Sequence, residues 1–525
     1  MKFVKVAKCL LLTALITTFC SCGGKNNGSE IVDDLERDEN GAFVVDYLDN
    51  VQLNVWTVVG DPDLTKFIKL VDQFNIEYAG MIEINLTSVG HNEYYSSLDT
   101  TYVNDYESFP DVCFMHNEKN IEYASKDYFR PVDDLIESVG IDFSFDNVYE
   151  NIEKTTLKDN KHYGIPVDAH GYLTHFRQDI IKKNNLGFEN NTRFIPTNYD
   201  EYQDLLEGLH ELEESGELWV RNITTGENHA WYQLKNGNPN LNSAVTVTSE
   251  SFYPTFIPGA EGEGDNLTAL YVNGGSLLDS NGKVNFHNSE GFNDYVTDYV
   301  DRYNMGLIGD VGSKDSAFPK GELAMFLEGP WMYNKYALMW NNAQLKEAGK
   351  LGVTEEDATD PVYSKPYAVS RPTWLARENA PAELKDKWYG NGHVITLNKK
   401  ITSMQKAAAA LVFASWFTQE KTLTSWCEEG HIPAWKNVYD SQVYKTSQAK
   451  TPTLKAMGNP ADIIALESTK YASVLISGVN TAVGSVKTVL INGETCTFDE
   501  AKLKVKTVAQ STQESIDFLG LTGGN

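Results

Sequence analysis

Apolar and polar residues alternate at Val51, Leu53 and Val55, and the run stays apolar through Trp56 to Val59 before Gly60 breaks it. Period-two alternation predicts a strand with one face buried. Asp61 is placed to cap a helix with Pro62 at its first position. Leu64, Phe67, Ile68 and Val71 then recur with helical spacing. Further strands are predicted at Ile82 to Leu86 and Asp111 to Met115. A strand–helix–strand opening implies an α/β fold with a mostly parallel sheet covered by helices. Such sheets bind ligands beyond the carboxyl ends of their strands, here Val59 to Asp61 and Met115 to Glu118.

Later helices announce themselves by caps and stripes. Thr197-Asn198-Tyr199-Asp200 reads as a capping box before Tyr202, Leu205, Leu206 and Leu209. Phe292, Tyr295, Val296, Tyr299, Val300 and Tyr303 make one core-facing stripe that stops near Gly306. Thr402-Ser403-Met404-Gln405 opens a helix that runs through Phe417, and Thr497-Phe498-Asp499-Glu500 opens the last one. Leu278 to Phe286 is a hairpin turning at Ser280-Asn281-Gly282. There is no internal repeat and no Pro-rich linker, so two domains would be joined by strands.

The first residues follow a different pattern. Lys2, Lys5 and Lys8 form a basic stretch, Cys9 to Phe19 an apolar one too short to span a bilayer, and Phe19-Cys20-Ser21-Cys22 a lipobox-like end. Residues 1–21 therefore read as a lipoprotein signal peptide, with Cys22 the lipidation site. Ordinary secretion with cleavage elsewhere is the alternative. Residues 22–47, polar at first, read as a flexible tether. No later stretch looks long and apolar enough to cross a membrane.

Composition narrows the function. A chain of 525 residues, 41% hydrophobic, can bury one large core or two ordinary ones. Its net charge of −29 excludes a nucleic-acid surface and disfavours anionic membranes. Cys113, Cys427 and Cys496, an odd and widely spaced set, do not suggest a disulfide framework, and no pair has metal-ligand spacing. His170 and His175 are spaced for neither a helix face nor a strand face. No nucleophile elbow, zinc-protease motif, phosphate loop or dinucleotide loop is present. A glycosidase carboxylate pair stays open, because acids abound. Trp331, on the turn Gly329-Pro330-Trp331, could present a flat face to a sugar ring or simply lid a core. His431, on the turn Gly430-His431-Ile432-Pro433, reads as a surface residue or a ligand contact.

Taken in order, several segments resemble the extracellular solute-binding proteins of ABC transporters, of the maltose-binding-like sugar cluster. Tyr163-Gly164-Ile165-Pro166-Val167-Asp168 is similar to the family's first hinge crossing. Pro196-Thr197-Asn198-Tyr199-Asp200-Glu201 is similar to its Pro-x-Thr-Trp-x-Glu element, with Tyr199 for Trp. Phe318, Gly321, Ala324, Met325, Gly329 and Trp331 match an F-x-x-G-x-x-A-M…G-x-W element. Lys406 to Phe417 with Gly430 and Pro433, and Ile491-Asn492-Gly493 before the last helix, match the rest.

The resemblance implies a two-lobed periplasmic-binding-protein-like fold of type II, each lobe a mixed, mostly parallel sheet flanked by helices and joined by crossing hinge strands. Lobe 1 would be 48–168 with 394–435, and lobe 2 would be 169–393 with 436–525. The ligand would lie between the lobes. Carried over residue by residue, Asp61 falls at a polar sugar contact, and Glu118, with His116 beside it, at a lobe-1 carboxylate. A hinge acid's role falls to Asp168 or His170. Trp331 matches a stacking Trp, Phe252 or Tyr253 a second aromatic, and His431 lies on the matching turn. Met115 and Ile476 stand where the maltose binder has aromatics, so the platform is not tuned for maltodextrin. Residues 215–260 and 340–390 look like insertions near the cleft.

The implied function is non-enzymatic: capture of a mono- or oligosaccharide and its delivery to ABC permease subunits. The protein would be a monomer, lipid-anchored to the outer face of the cytoplasmic membrane, with no cofactor and no metal ion. A binder of a peptide, a polyamine or another non-sugar solute is the alternative, and an anchored glycosidase or an adhesin are remoter ones.

Overall fold

The structure, a computed structural model, describes residues 31–522 apart from 92, 225–226, 228, 236–237, 240–251, 259–261 and 340–351. The expected signal peptide, Cys22 and parts of both expected insertions lie outside the described residues.

The strand Val51–Thr57 buries every second residue, as its alternation predicts. It pairs in parallel with Ile82–Ser88 on one side and Val112–His116 on the other. His393–Leu397 returns from late in the chain to lie antiparallel beside Val112–His116, and Ile165–Pro166 closes the five-stranded sheet. The helices Leu64–Glu77 and Met404–Phe417 cover it, with Phe67, Phe74, Phe413 and Phe417 in one core. Asp61 does not cap the first helix. The Asp61–Pro62 bond is cis, and the helix begins at Leu64 after Asp63.

A second five-stranded sheet carries its own core. Tyr253–Phe256 is flanked by parallel strands Ile308–Gly309 and Leu323–Glu328, and Leu173–Phe176 and Ala368–Ser370 complete the sheet in antiparallel pairing. The helix Tyr199–Ser215 starts one residue later than the box implied. Asn198 accepts the Glu201 N–H, and the Glu201 carboxylate reaches back to Thr197. Thr497 caps the last helix as predicted, and Ser403, one residue later than the Thr402–Gln405 box implied, caps Met404–Phe417.

Ala472–Ile491 is a 20-residue helix apolar enough to cross a membrane, contrary to expectation. Half of its apolar window is buried, and Leu475, Val479, Val483 and Val486 sit in the second core against Phe498–Thr522 and Glu290–Asn304. Its hydrophobicity is that of a core helix, whose apolar residues face protein on several sides.

Between the sheets runs a four-stranded hinge sheet, ordered Ile432–Pro433, Asp168–Gly171, Trp388–Asn391, Ile463–Ile464. Two stretches lie elsewhere than expected. Residues 31–47 are not a loose tether throughout, because Val32 bridges to Ser403, and Ile31, Leu35, Phe43 and Val45 pack on the first core. Residues 436–457, expected in the second lobe, put Val438, Tyr444, Leu454 and Met457 into the first.

The second lobe also holds a buried ion cluster. Asp179 binds Arg177 at 2.9 Å and Arg221 at 2.8 Å, and Arg221 reaches Asp357 at 2.7 Å, all four essentially unexposed. Removing one partner of a buried pair strands its charge. Asp179→Ala is therefore expected to cost about 3–5 kcal/mol, read as a lower urea midpoint, whereas an unchanged midpoint would contradict a load on this cluster.

Candidate functional site

Where the hinge sheet meets both lobes there is a cavity of about 300 Å³. The first lobe contributes the loop Val58–Asp63, His91, and the end of Val112–His116 with Glu118. The second contributes Tyr172, Glu263 and Trp331, and the hinge contributes His170, Asn391, His393 and His431. These are the carboxyl-terminal ends that the strand pattern singled out, now facing the second lobe.

Asp168 lies fully buried beneath the floor. It accepts hydrogen bonds from the His393 backbone N–H at 3.1 Å and from Trp426 Nε1–H, and it lies 2.9 Å from His393 Nδ1. Burial pushes its carboxyl up, but His393 and His431, and hydrogen bonds from His170 and His393, hold it well below the usual range. His431 stacks on Trp426 at 4.7 Å, nearly parallel. Burial would lower its pKa, yet the Asp168 and Asp63 carboxylates raise it. His170 is driven the other way by burial, down to about 4. His116 is kept neutral by burial and by neighbouring imidazoles. The Tyr95 hydroxyl accepts the His116 backbone N–H and lies 3.1 Å from Nδ1. It therefore donates to Nδ1 and leaves Nε2 carrying the ring proton.

On the second lobe, Trp331 is half-buried and edges onto His170 and Tyr172 at 5.8 and 6.3 Å. A Cβ on Gly329 would meet the Trp331 ring at 2.1 Å, so only glycine lets the indole fold over this turn. Aromatic faces supply flat apolar area at low entropic cost. Carboxylates and amides supply the hydrogen-bonding edge.

Glu118 and Glu263 face each other across the lobes. The Tyr389 hydroxyl lies 3.1 Å from Glu118 Oε2 and 3.2 Å from Glu263 Oε1, and Asn391 Nδ2 also donates to Glu118. One hydroxyl has a single proton to give, so a carboxyl proton completes the pair of hydrogen bonds. Glu263 is the group that holds it: burial, and then the Glu118 charge, push it from 4.5 up to about 8. Beside this pair, Lys119 and Glu122 of the first lobe bind Ser473 at the start of the second lobe's long helix.

Residues 69–453 match the model of the bacterial extracellular solute-binding protein family. The chain belongs to that family. Its members are binding proteins, and their place is outside the cytoplasm. No curated protein matched the sequence. Among solved structures, the chain is similar to the GacH receptor of Streptomyces glaucescens, described unliganded and with acarbose (14% identity, TM-score 0.61, covering 89% of this chain and 99% of that one). It is similar to the sugar-binding protein MalE of Xanthomonas citri (14%, 0.62, 90% and 100%). It is also similar to UgpB of Mycobacterium tuberculosis in complex with glycerophosphocholine (12%, 0.62, 89% and 98%). At these identities the likeness establishes the two-lobed fold.

In this solute-binding protein the cavity gathers Asp61, His116, Glu118, His170, Trp331 and His431. Asp168 stands one layer behind them. Tyr253 does not line the cavity. Its ring covers Gly309 and packs in a separate cluster of the second lobe, while Phe252 is buried in that lobe's core. Tyr172 is the aromatic that lines the cavity together with Trp331. His431 is only 1% exposed, so it is no surface residue. Met115 and Ile476 are both core residues. Asp63, His91, Glu263, Asn391 and His393 escaped sequence reasoning. No sequence pattern marked them, although five of the chain's ten histidines come to this cavity.

Glu263 gives a pH signature. Its folded pKa is raised, so the folded state keeps a proton that the unfolded chain has already released. Stability from this group is full below about pH 4.5 and is lost as pH rises toward about 8. Glu263→Gln is expected to flatten the fall in thermal midpoint across that window relative to wild type. Parallel profiles would contradict the shared proton.

Proposed function

We propose that this protein is the membrane-anchored binding component of an ABC importer, that it captures a carbohydrate between its lobes, and that it delivers it to the permease. The observation that carries the reading is the lining of one cavity by both lobes, with an indole and a phenol on one side and carboxylate, amide and imidazole groups around them. Sugar hydroxyls suit the charged acceptors, at about 1.5–3 kcal/mol per hydrogen bond, and the C–H face suits Trp331. The lobe-1 side offers Asp61 and Glu118, and the second lobe Trp331, Tyr172 and Glu263. A solute touching both sides favours closure, whereas one touching a single lobe equally in both states shifts nothing. The cavity is at the lower end of small-molecule sites, which run from about 300 Å³, so a mono- or disaccharide fits it better than a long chain.

Fold and family describe a binder rather than an enzyme, and the lipobox-like sequence ending at Cys22 supports a lipid anchor that would hold it on the outer face of the cytoplasmic membrane. The GacH receptor is described in complex with acarbose, and MalE as a sugar-binding protein. A non-sugar solute is the second reading, favoured by the unusual density of imidazoles in the cavity and by the likeness to a protein that binds glycerophosphocholine.

Calorimetric titration against a panel of mono- and oligosaccharides tests the reading. A member of the panel is expected to bind, and Trp331→Ala to weaken it tenfold or more while the circular dichroism spectrum is unchanged. Undiminished affinity in that variant would remove Trp331 from the site, and a panel without a binder would favour the non-sugar solute. For the anchor, Cys22→Ser is expected to abolish incorporation of labelled fatty acid and release the protein to the medium. Continued labelling would contradict it.

A further inference from the structure

The floor of the cleft brings together a side-chain set that solute recognition does not use up. Ligand atoms of Asp168, His170, His393 and His431 all lie within 4.8 Å of one another, and all four residues are buried. Sequence spacing hides the set because it is assembled across strands. Asp168 and His170 alternate on one face of a hinge strand. Ile432 pairs with Ala169 and Pro433 with Asp168, so His431 falls opposite His170. Asn391 pairs with His170 and Gly390 with Gly171, so His393 falls opposite Asp168.

The distances are those of a coordination shell. His170 Nδ1 and His431 Nδ1 are 3.2 Å apart, His170 Nδ1 and Asp168 Oδ1 3.5 Å, His431 Nδ1 and Asp168 Oδ1 3.8 Å, and His393 Nδ1 and Asp168 Oδ1 3.2 Å. Ligand bonds of about 2.0–2.2 Å in a tetrahedron put donor atoms about 3.3 Å apart. The partners behind the set aim it. Asp63 Oδ2 lies 3.2 Å from His431 Nε2, where it accepts the ring proton and turns the Nδ1 lone pair toward His170. Asp63 Oδ1 is buried without a hydrogen-bond partner, a further negative atom beside the cluster. Trp426 fixes the Asp168 carboxylate from behind.

We propose that Asp168, His170, His393 and His431 bind one divalent transition-metal ion of the zinc type at the floor of the cleft. Three imidazole nitrogens and one carboxylate oxygen suit zinc, cobalt or nickel, and do not suit calcium or magnesium, which take oxygen ligands. The ion would tie both crossing strands and the Gly430–Pro433 turn to one centre, and His170, His393 and His431 open onto the cavity that admits it. A surface of net charge −29 draws cations toward the opening. His170, His393 and His431 also line the solute cavity, but the metal site does not depend on a carbohydrate occupying it and is tested without a sugar.

The test is titration of full-length, chelator-treated protein with zinc and with cobalt, read by calorimetry, by thermal shift and, for cobalt, by its visible absorption. One equivalent of zinc is expected to bind at micromolar concentration or tighter and to raise the thermal midpoint. Cobalt is expected to give the intense bands of tetrahedral coordination, and calcium and magnesium at equal concentration to do neither. Loss of that equivalent in His170→Ala and in His431→Ala, with Asp63→Asn weakening zinc about tenfold, would support the site. Because Ala variants in a packed hinge can misfold, each is compared only where its circular dichroism matches wild type, and the cobalt spectrum of the unaltered protein decides independently. Folded wild type that takes up no zinc, or folded variants that bind it undiminished, would overturn the proposal. Sugar titrations of the chelated protein are scored separately, so a missing sugar and a missing metal are distinguishable.

Discussion

A fully buried carboxylate where the chain passes between lobes is the constraint around which this molecule is arranged. An ion of that kind, taken out of water, costs several kcal/mol unless it is paired and hydrogen-bonded. Asp168 meets the condition with a backbone amide, an indole N–H and three imidazoles. Those partners come from three separate passes of the chain: the outgoing crossing strand, the returning strand at His393, and the helix Glu420–Cys427 with the turn that follows it before Ile432. Satisfying one charge therefore pins the hinge sheet in register, and register sets which residues face the cavity.

The cavity inherits its chemistry from that arrangement. Its walls are strand ends and short turns, held by sheets with cores of their own, so the polar groups are carried by rigid elements while the lobes stay separable. Beside the cavity the interlobe contacts are polar: Glu118 and Glu263 share the Tyr389 hydroxyl, and Ser473 meets Lys119 and Glu122. Contacts of this sort exchange readily with water, as the proposed opening and closing of the lobes requires.

Much of the fold was legible along the chain because local signals and tertiary need coincided. The period-two run at Val51, the stripe from Phe292 and the caps at Ser403 and Thr497 each name an element that the structure contains. Where they parted, a longer-range effect won. Asp61 yielded the helix start to Asp63, and Ala472–Ile491 looked like nothing special in sequence yet is the second lobe's central apolar helix. The site was half legible. Strand ends pointed to Asp61, His116 and Glu118, and the turn motif pointed to Trp331. His393 and Glu263 were invisible because their meaning arises from pairings across more than a hundred residues. Tyr253 was misplaced by position alone, since its neighbour in sequence says nothing about Gly309, which its ring covers.

Whether the two lobes close upon a solute is measured most directly by pulsed electron resonance between spin labels at Val103→Cys and Met305→Cys, exposed positions on opposite lobes. The native Cys113, Cys427 and Cys496 are buried and so are shielded from labelling. Adding a carbohydrate that binds is expected to narrow the interlobe distance distribution and move it to shorter values. A distribution left unchanged by saturating ligand would contradict a solute held between closing lobes.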